Sequence, residues 1–275
     1  MPSSDPTEPL VVRRLTDPDQ LARLLQREPV NPVDDVEEPD VFERALADRT
    51  DVDRRVFGLV PRCESDRTRT VLWVALTRGP ASSLVELTDD RAPTAPADAD
   101  TAVFWSIWND DPELAGAGSG LDLILGAAQL LADELPHLHT FTTLSPVPGL
   151  RRWVESDADC THTDSAHADS AHTDSAHTDS AHTDDPTALA ATAARYLTSL
   201  DDRGTPIDPV ARFHLRNGAR LWRLLPGGDP SSRGAARSFG LLASYRYAPE
   251  DRDANRTSLD DGTVAVGESV AALLD

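Results

Sequence analysis

The sequence predicts a fold of the α+β class, and three observations support this. Short runs of β-branched and aromatic residues follow one another in the first half of the chain. Apolar residues at helical spacing mark segments on both sides of those runs. Helices and strands therefore occur in blocks, which is typical of α+β domains.

The first half of the chain begins with a predicted helix in DPDQLARLLQRE, with Asp17 as its N-cap and Pro18 in its first turn. Three apolar runs follow: RRVFGLVP, TVLWVALT and TAVFWSIW. Their composition predicts consecutive strands of an antiparallel meander. The glycine-rich stretch AGAGSG then leads into LDLILGAAQLLADEL, which has the apolar spacing of a helix.

The second half of the chain continues with a predicted strand in HTFTTLS and a rigid turn in PVPG. Asp185 and Pro186 are expected to start a helix through TALAATAARYLTSL. The segment PVARFHLRNGARLWRLL is amphipathic and is interrupted at Asn217 and Gly218. The run FGLLASYRYA predicts a final buried strand.

Residues 155–185 consist almost entirely of aspartate, serine, threonine, histidine and alanine. A segment of this kind cannot bury enough apolar surface to offset its ordering entropy, so a disordered insert is predicted. One catalytic domain is then expected, with residues 1–154 as its N-terminal part and 186–275 as its C-terminal part.

Five of the eight histidines recur at every fifth position of this insert, interleaved with aspartate; they are His162, His167, His172, His177 and His182. A zinc site would require a preorganised tetrahedral set of ligands, which a repeat in a flexible tether does not provide. The repeat is therefore interpreted as a solvated linker, and no metal site is predicted.

Composition excludes several classes of protein. The net charge is −21, from 47 acidic residues against 26 basic ones, and all 26 are arginine. Without lysine there is neither a Walker A phosphate loop nor a pyridoxal Schiff base. The acidic balance argues against nucleic acid as a partner and suggests a salt-adapted cytoplasm. Since no apolar run approaches the ~18 residues of a membrane span, a cytoplasmic protein without membrane contact is expected.

A cationic stretch interrupts the acidic chain between residues 201 and 250, where eight arginines stand against five acids. Two interpretations remain open for these arginines: they bind an anionic ligand, or they pair with acidic residues of the same chain. Arg216 and Arg220 are the first candidates for a ligand contact.

Three motifs are candidates for chemistry. Gly116, Gly118 and Gly120 precede a helix in a G-x-G-x-G pattern, which suits either phosphate binding at the helix N-terminus or a flexible turn. Ser145 is placed at the rim of a sheet by the proline after it, a position that is ordinarily structural. His214 lies in a strongly patterned segment, and an isolated histidine is more often structural than catalytic.

Together these motifs resemble a known family. The stretches FTTLSPVPGLRRWV, FHLRNGARLWRL and GLLASYRYA, in this order behind DELPHLHTF, are similar to the catalytic region of malonyl-CoA decarboxylases. The resemblance extends from about REPVNPVDDV at Arg27 to near the C-terminus, apart from the insert. It implies an acyl-CoA N-acyltransferase-like (GNAT) fold, with a mixed sheet flanked by helices.

The resemblance also implies an activity, namely conversion of malonyl-CoA to acetyl-CoA and CO₂ in fatty acid metabolism. It implies catalytic roles for Ser145, His214 and Tyr247. The implied substrate-binding residues are Gly116, Gly118, Ser119, Gly120 and Asn217. No metal or organic cofactor is expected, because CoA is part of the substrate and the thioester is itself the electron sink.

The sequence departs from the family pattern at Gly118, which stands where an acidic loop residue is often found. In the family, a helical domain that takes part in oligomer contacts usually precedes this region. The sequence has almost no room for such a domain, so formation of a homo-oligomer stays open. Two other functions are kept as alternatives: an acyl-CoA N-acyltransferase, and a non-catalytic regulatory protein that binds CoA.

Overall fold

The computed structural model of the chain describes residues 9–62, 67–88, 91–110, 119–163 and 185–275, and the side chains of residues 119 and 157–163 are left aside. The chain divides into two compact units, one of residues 1–81 and 86–142 and the other of residues 82–85 and 143–275. The division between residues 142 and 143 does not coincide with the histidine repeat. The predicted α+β class, with a mixed sheet flanked by helices, is confirmed.

The strands of the first unit form the predicted meander. Strands β1, β2, β3 and β4 pair in chain order, each antiparallel to the one before it, and β5 comes next in the sheet order. Their bounds are Leu10–Arg14 for β1, Arg54–Pro61 for β2, Thr70–Thr77 for β3, Thr101–Asn109 for β4 and Thr140–Thr143 for β5. Strand β1 was not foreseen from the sequence, because its five residues are too few for a clear alternation.

The helices of this half of the chain include the two that the sequence predicted. Asp17 caps the first of them, with its carboxylate accepting the Gln20 N–H at 2.8 Å. The bounds are Pro18–Gln26 for α1, Pro39–Arg49 for α2, Val85–Thr88 for α3 and Ser119–Glu134 for α4, with a 3₁₀ turn at Pro96–Asp98.

Strand β4 contains a bulge at Trp105. Trp73 of β3 pairs with Ser106 and the next residue, Val74, pairs with Phe104, so Trp105 is the additional residue. Its carbonyl oxygen accepts the side-chain amide of Asn31 at 2.6 Å. The bulge is thereby tied to the segment after α1.

Charged residues are also buried in the first unit. Arg49 is 4% exposed and lies over the Trp105 ring at 4.5 Å from the ring centroid. Its guanidinium is 3.7 Å from the buried Glu28 carboxylate. Burial lowers the pKa of Arg49 to about 10, which still leaves it charged at neutral pH. Sequence patterns did not predict this ion pair, because its members are distant in sequence and lie in unremarkable segments.

The second unit contains a three-stranded antiparallel arrangement in which β8 lies between β6 and β7. Strand β6 is Ser145–Pro146, β7 is Arg220–Leu225 and β8 is Leu242–Tyr247. The helices are α5 (Leu150–Thr163), α6 (Pro186–Thr198), α7 (Pro209–Arg216), α8 (Ser232–Ser238), α9 (Arg252–Asp260) and α10 (Glu268–Ala271).

Several predicted elements of this unit are present. Asp185 caps α6 as expected, accepting the N–H groups of Thr187 and Ala188. The amphipathic segment around Asn217 is a helix followed by a strand, so the interruption at Asn217–Gly218 is the point where α7 ends. Gly218 has φ +82°, and a Cβ there would lie 2.7 Å from the Arg252 carbonyl oxygen, so glycine is required at this turn.

Helix α5 continues to Thr163, so residues 155–163 of the segment predicted to be disordered are helical. Neither glycine nor proline occurs from Leu150 to Thr163, so nothing in the local sequence stops the helix from propagating. Trp153 near its start packs against Tyr196 of α6, with ring centroids 5.5 Å apart. Residues 164–184, which hold four of the five repeat histidines, lie outside the described residues.

Candidate functional site

Ser145 occupies the start of the short strand β6, where it pairs with Ala243 of β8. The sequence predicted a serine at the end of the preceding strand; the structure ends β5 at Thr143 and places Ser145 in a separate strand. Pro146 has no N–H to donate, which suits a two-residue strand at this position. The side chain is 4% exposed, so its hydroxyl is buried.

His214 lies in the last turn of α7 and is 3% exposed. Its Nε2 is 3.0 Å from the Oγ of Ser145. The imidazole stacks on the ring of Tyr245 in β8, with centroids 4.4 Å apart, and meets the edge of Phe213 at 5.0 Å. These aromatic contacts help to hold the ring plane in the orientation that faces the serine.

Tyr247 is the last residue of β8, and its hydroxyl oxygen lies 2.8 Å from Nδ1 of His214. The two ring nitrogens of the histidine therefore face two different hydroxyl groups. The structure thus brings the three predicted catalytic residues, Ser145, His214 and Tyr247, into one hydrogen-bonded chain.

Burial determines the charge state of the hydrogen-bonded residues Ser145, His214 and Tyr247. Loss of water around the imidazole lowers the pKa of His214 from 6.5 to about 3, so the ring is neutral at physiological pH. Burial also raises the pKa of Tyr247 above its usual value, and a hydrogen bond from the Asn217 side chain partly opposes this rise. The hydrogen-bonded chain is therefore neutral when no substrate is bound.

Thr143 extends the chain beyond Ser145 and was not identified from the sequence. The Ser145 hydroxyl donates to the Oγ1 of Thr143 at 2.9 Å, and the backbone N–H of Tyr245 donates to the same oxygen at 3.0 Å. The signal was present in the pattern TTLS, because residues two apart in extended chain project to the same side.

Asn217, predicted to bind substrate, is the C-cap residue of α7. Its backbone N–H donates to the His214 carbonyl oxygen at 3.1 Å, and its side chain contacts Tyr247 as described above. The structure therefore places Asn217 beside the predicted catalytic residues.

The structure describes only the last two residues of the predicted phosphate-binding loop. Gly116 and Gly118 lie outside the described residues, whereas Ser119 and Gly120 form the start of α4. A glycine segment leading into a helix N-terminus is the arrangement that the sequence predicted for CoA pyrophosphate, and this part of the prediction stays open.

The two arginines singled out in the cationic stretch have different surroundings. Arg220 pairs with Asp251, with nitrogen and oxygen 3.2 Å apart. Arg216 is exposed and donates to the hydroxyl of Thr205 at 3.2 Å. Internal pairing therefore accounts for Arg220, and Arg216 stays a candidate for an anionic ligand.

Among the described residues, no group of three or more histidine, cysteine, aspartate or glutamate side chains has the arrangement of a metal site. In the same part of the chain, none of the helices has the length and apolar character needed to cross a membrane.

The fold points first to a class, the proteins with a GNAT-like fold. The loading GNATL domain of CurA from Lyngbya majuscula has a TM-score of 0.51 with this structure at 15% identity, covering 89% of this chain and 100% of that chain. At that identity the likeness establishes the fold alone.

Within this class the chain belongs to the malonyl-CoA decarboxylase C-terminal domain family, whose model matches residues 13–275. It is 32% identical over 214 residues to a mitochondrial malonyl-CoA decarboxylase from Anser anser anser, covering 67% of this chain and 42% of the relative. The crystal structure of malonyl-CoA decarboxylase from Agrobacterium vitis has a TM-score of 0.82 at 32% identity, covering 97% of this chain and 67% of that chain. The chain spans about half the length of the curated relatives it matches.

Proposed function

We propose that this domain decarboxylates malonyl-CoA to acetyl-CoA and CO₂. The observation that carries the proposal is the hydrogen-bonded chain from Thr143 through Ser145 and His214 to Tyr247, in a member of a family named for this reaction. Its buried, neutral groups suit the transfer of a proton to carbon away from water.

The chemistry needs no metal or organic cofactor beyond the CoA of the substrate. The bond between the carboxylate carbon and the α-carbon breaks, CO₂ leaves, and the electron pair moves into the thioester as an enolate. The α-carbon then takes up one proton. The protein must therefore stabilise the enolate oxygen and deliver this proton.

In this proposal His214 is the donor of the proton that the α-carbon takes up. The free imidazole is neutral because burial lowers its pKa to about 3. A malonyl carboxylate bound beside Ser145 would bring negative charge next to the ring, and nearby negative charge stabilises imidazolium. Substrate binding thus favours uptake of the proton that the reaction consumes.

Ser145 relays the proton. Its hydroxyl proton passes to the enolate carbon while the proton on Nε2 of His214 moves to the serine oxygen, and the imidazole returns to the neutral form. Without substrate, the Ser145 Oγ lies within hydrogen-bond distance of both the Thr143 Oγ1 and the unprotonated Nε2 of His214. Once His214 is protonated, Nε2 donates to the serine oxygen, and the Ser145 hydroxyl is then free to donate to Thr143 or to the substrate.

Tyr247 is assigned to the histidine and not to the substrate oxygen. Its phenol oxygen lies 2.8 Å from Nδ1, on the side of the ring away from Ser145. Accepting the Nδ1 proton selects the tautomer in which Nε2 faces the serine. Stabilisation of the enolate oxygen then falls to backbone N–H groups.

The remaining parts of the proposal concern the rest of the substrate and the setting. The glycine loop and the N-terminus of α4 would bind the CoA pyrophosphate through free N–H groups.

The net charge of −21 and the absence of lysine support a salt-adapted cytoplasmic protein without a nucleic-acid partner. The substrate itself connects the activity to fatty acid metabolism, and self-association is a further expectation that sedimentation would test.

Incubation of the purified protein with malonyl-CoA in concentrated KCl tests the proposal. We expect stoichiometric acetyl-CoA and CO₂ without an added amine and in the presence of a chelator. Product formation only when an amine is added would instead identify an N-acyltransferase. Binding of malonyl-CoA without turnover would identify a non-catalytic CoA-binding protein.

A further inference from the structure

Asp208 is a carboxylate with no solvent exposure that lies outside the proposed catalytic chain. One of its oxygens caps α7, accepting the N–H groups of Val210 at 2.9 Å and Ala211 at 2.8 Å. Helix α7 is the helix that holds His214. The cap therefore fixes where this short helix begins.

The second oxygen of Asp208 accepts the Tyr196 hydroxyl of α6 at 3.1 Å. The backbone N–H of Gly149 is near the same carboxylate and helps to lower its pKa. Gly149 lies in the turn between β6, which holds Ser145, and α5. One buried side chain thus joins the segment after Ser145 to the helix that holds His214.

The packing around Gly149 leaves no room for a side chain. A Cβ at this position would lie 2.1 Å from the Tyr196 hydroxyl oxygen and 3.1 Å from the ring carbon that bears it. The glycine therefore allows the turn to approach Tyr196 and Asp208 closely. Any larger residue would push the turn, and the strand before it, away from Tyr196 of α6.

Capping alone does not require this arrangement. A serine at the surface would cap a helix as well, and burying a carboxylate costs free energy unless every lone pair is used. At Asp208, burial raises the pKa of the carboxyl group, while hydrogen bonds from Ala211, Tyr196 and Val210 and the nearby N–H of Gly149 oppose that rise. These groups come from three different segments, which is what a connecting residue needs.

We propose that Asp208 is a positioning residue that sets the separation of Ser145 and His214, with Tyr196 and Gly149 as its partners. The effect of Asp208 on catalysis rests on the proposed function. Its effect on the 3.0 Å contact between the serine oxygen and the imidazole does not. A displacement of about 1 Å in such a contact is enough to cost on the order of 10²-fold in rate.

The first test distinguishes the role of Asp208 in connecting segments from its role as the N-cap of α7. Asp208→Ser keeps a cap acceptor for α7 and is too short to reach Tyr196 or Gly149. We expect kcat to fall by about 10-fold or more with KM changed by less than about 3-fold, because substrate contacts stay in place. Asp185→Ser is the matched control, since Asp185 caps α6 in the same way at an exposed position. It should keep wild-type kcat.

The second test uses the close contact at Gly149. Gly149→Ala should lower kcat because its methyl group collides with the Tyr196 hydroxyl. Adding Tyr196→Phe removes that oxygen, so the double variant should recover at least part of the kcat lost in Gly149→Ala. A merely destabilised protein would instead lose activity in step with its melting temperature in both variants.

An activity-independent measurement completes the design. In ¹⁵N-histidine-labelled protein, the His214 signal, assigned by its loss in His214→Gln, should shift in Asp208→Ser and stay unchanged in Asp185→Ser. Wild-type kcat and an unshifted signal in Asp208→Ser would overturn the inference. If the wild-type protein released no CO₂, the proposed function would fail, and the histidine signal alone would decide this inference. If Asp208→Ser did not fold, Tyr196→Phe would be measured in its place.

Discussion

The Nε2 atom of His214 lies 3.0 Å from the Oγ of Ser145, although the two residues are 69 positions apart in sequence. Strand β6 presents one of them and the last turn of α7 presents the other. Both side chains are almost fully buried.

The pair is expected to act as one unit in proton transfer. Ser145→Ala and His214→Ala should each lower kcat by roughly 10²-fold or more, the scale of a lost acid–base group. The double variant should be little worse than either single one, because residues of one relay are not additive. Steady-state kinetics, with CoA affinity as the control, measure both effects. Near-normal turnover in His214→Ala would remove the histidine from the mechanism.

Thr143 should matter for turnover through its hydroxyl. Thr143→Val keeps the shape and removes the acceptor for Ser145, so we expect kcat to fall by about 10-fold, with Thr143→Ser restoring most of it. The neighbouring Thr142 is equally buried, and Thr142→Val is the matched control. If both valine variants lowered kcat equally, the effect would belong to the strand and not to the serine contact.

Acid should destabilise the protein through His214. The unfolded histidine takes up a proton near its usual pKa of 6.5, whereas burial holds the folded pKa at about 3. Between these values the unfolded state binds more protons, so stability is lost as pH falls, by up to ~1.4 kcal/mol per pH unit. Above pH 6.5 this group contributes no pH dependence.

Urea unfolding at about pH 7 and about pH 5 measures the effect of the histidine. The pH dependence should be smaller in His214→Gln than in the wild-type protein. Asp208 acts with the opposite sign, because burial raises its folded pKa, but it is present in both proteins and cancels in the comparison. Equal pH dependence in the two proteins would refute the buried neutral histidine.

Removal of the histidine repeat should leave catalysis intact. A variant in which a short Gly-Ser linker replaces residues 164–184 preserves α5 to its last residue. We expect nearly unchanged kcat and KM, with chelators having little effect on either protein. A large loss that zinc restores in the full chain would show instead that the repeat holds a functional metal.

Salt should raise both stability and activity. With a net charge of −21, carboxylate repulsion is strong in dilute buffer and is screened as ionic strength rises. We expect the melting temperature and kcat to increase from dilute buffer to concentrated KCl. Full activity and an unchanged melting temperature in dilute buffer would contradict salt adaptation.

The sequence by itself determined the local elements of this protein. The cap at Asp17, the three apolar runs of the meander and the cap at Asp185 are encoded within a few residues each, so pattern and capping chemistry predicted them. The family motifs also identified Ser145, His214 and Tyr247, which the structure brings into contact. The early strand β1 and the continuation of α5 were missed because local signals at those points are weak.

Only the tertiary structure decided how those residues act on one another. The two hydroxyl partners of His214 and the hydrogen bonds of Asp208 to α6 and α7 join residues that are separated in sequence or in secondary structure. The low pKa of the histidine arises from burial, which depends on every segment packed around it. Hydrogen-bond distance and loss of water are properties of the packed fold, so no local pattern specifies them.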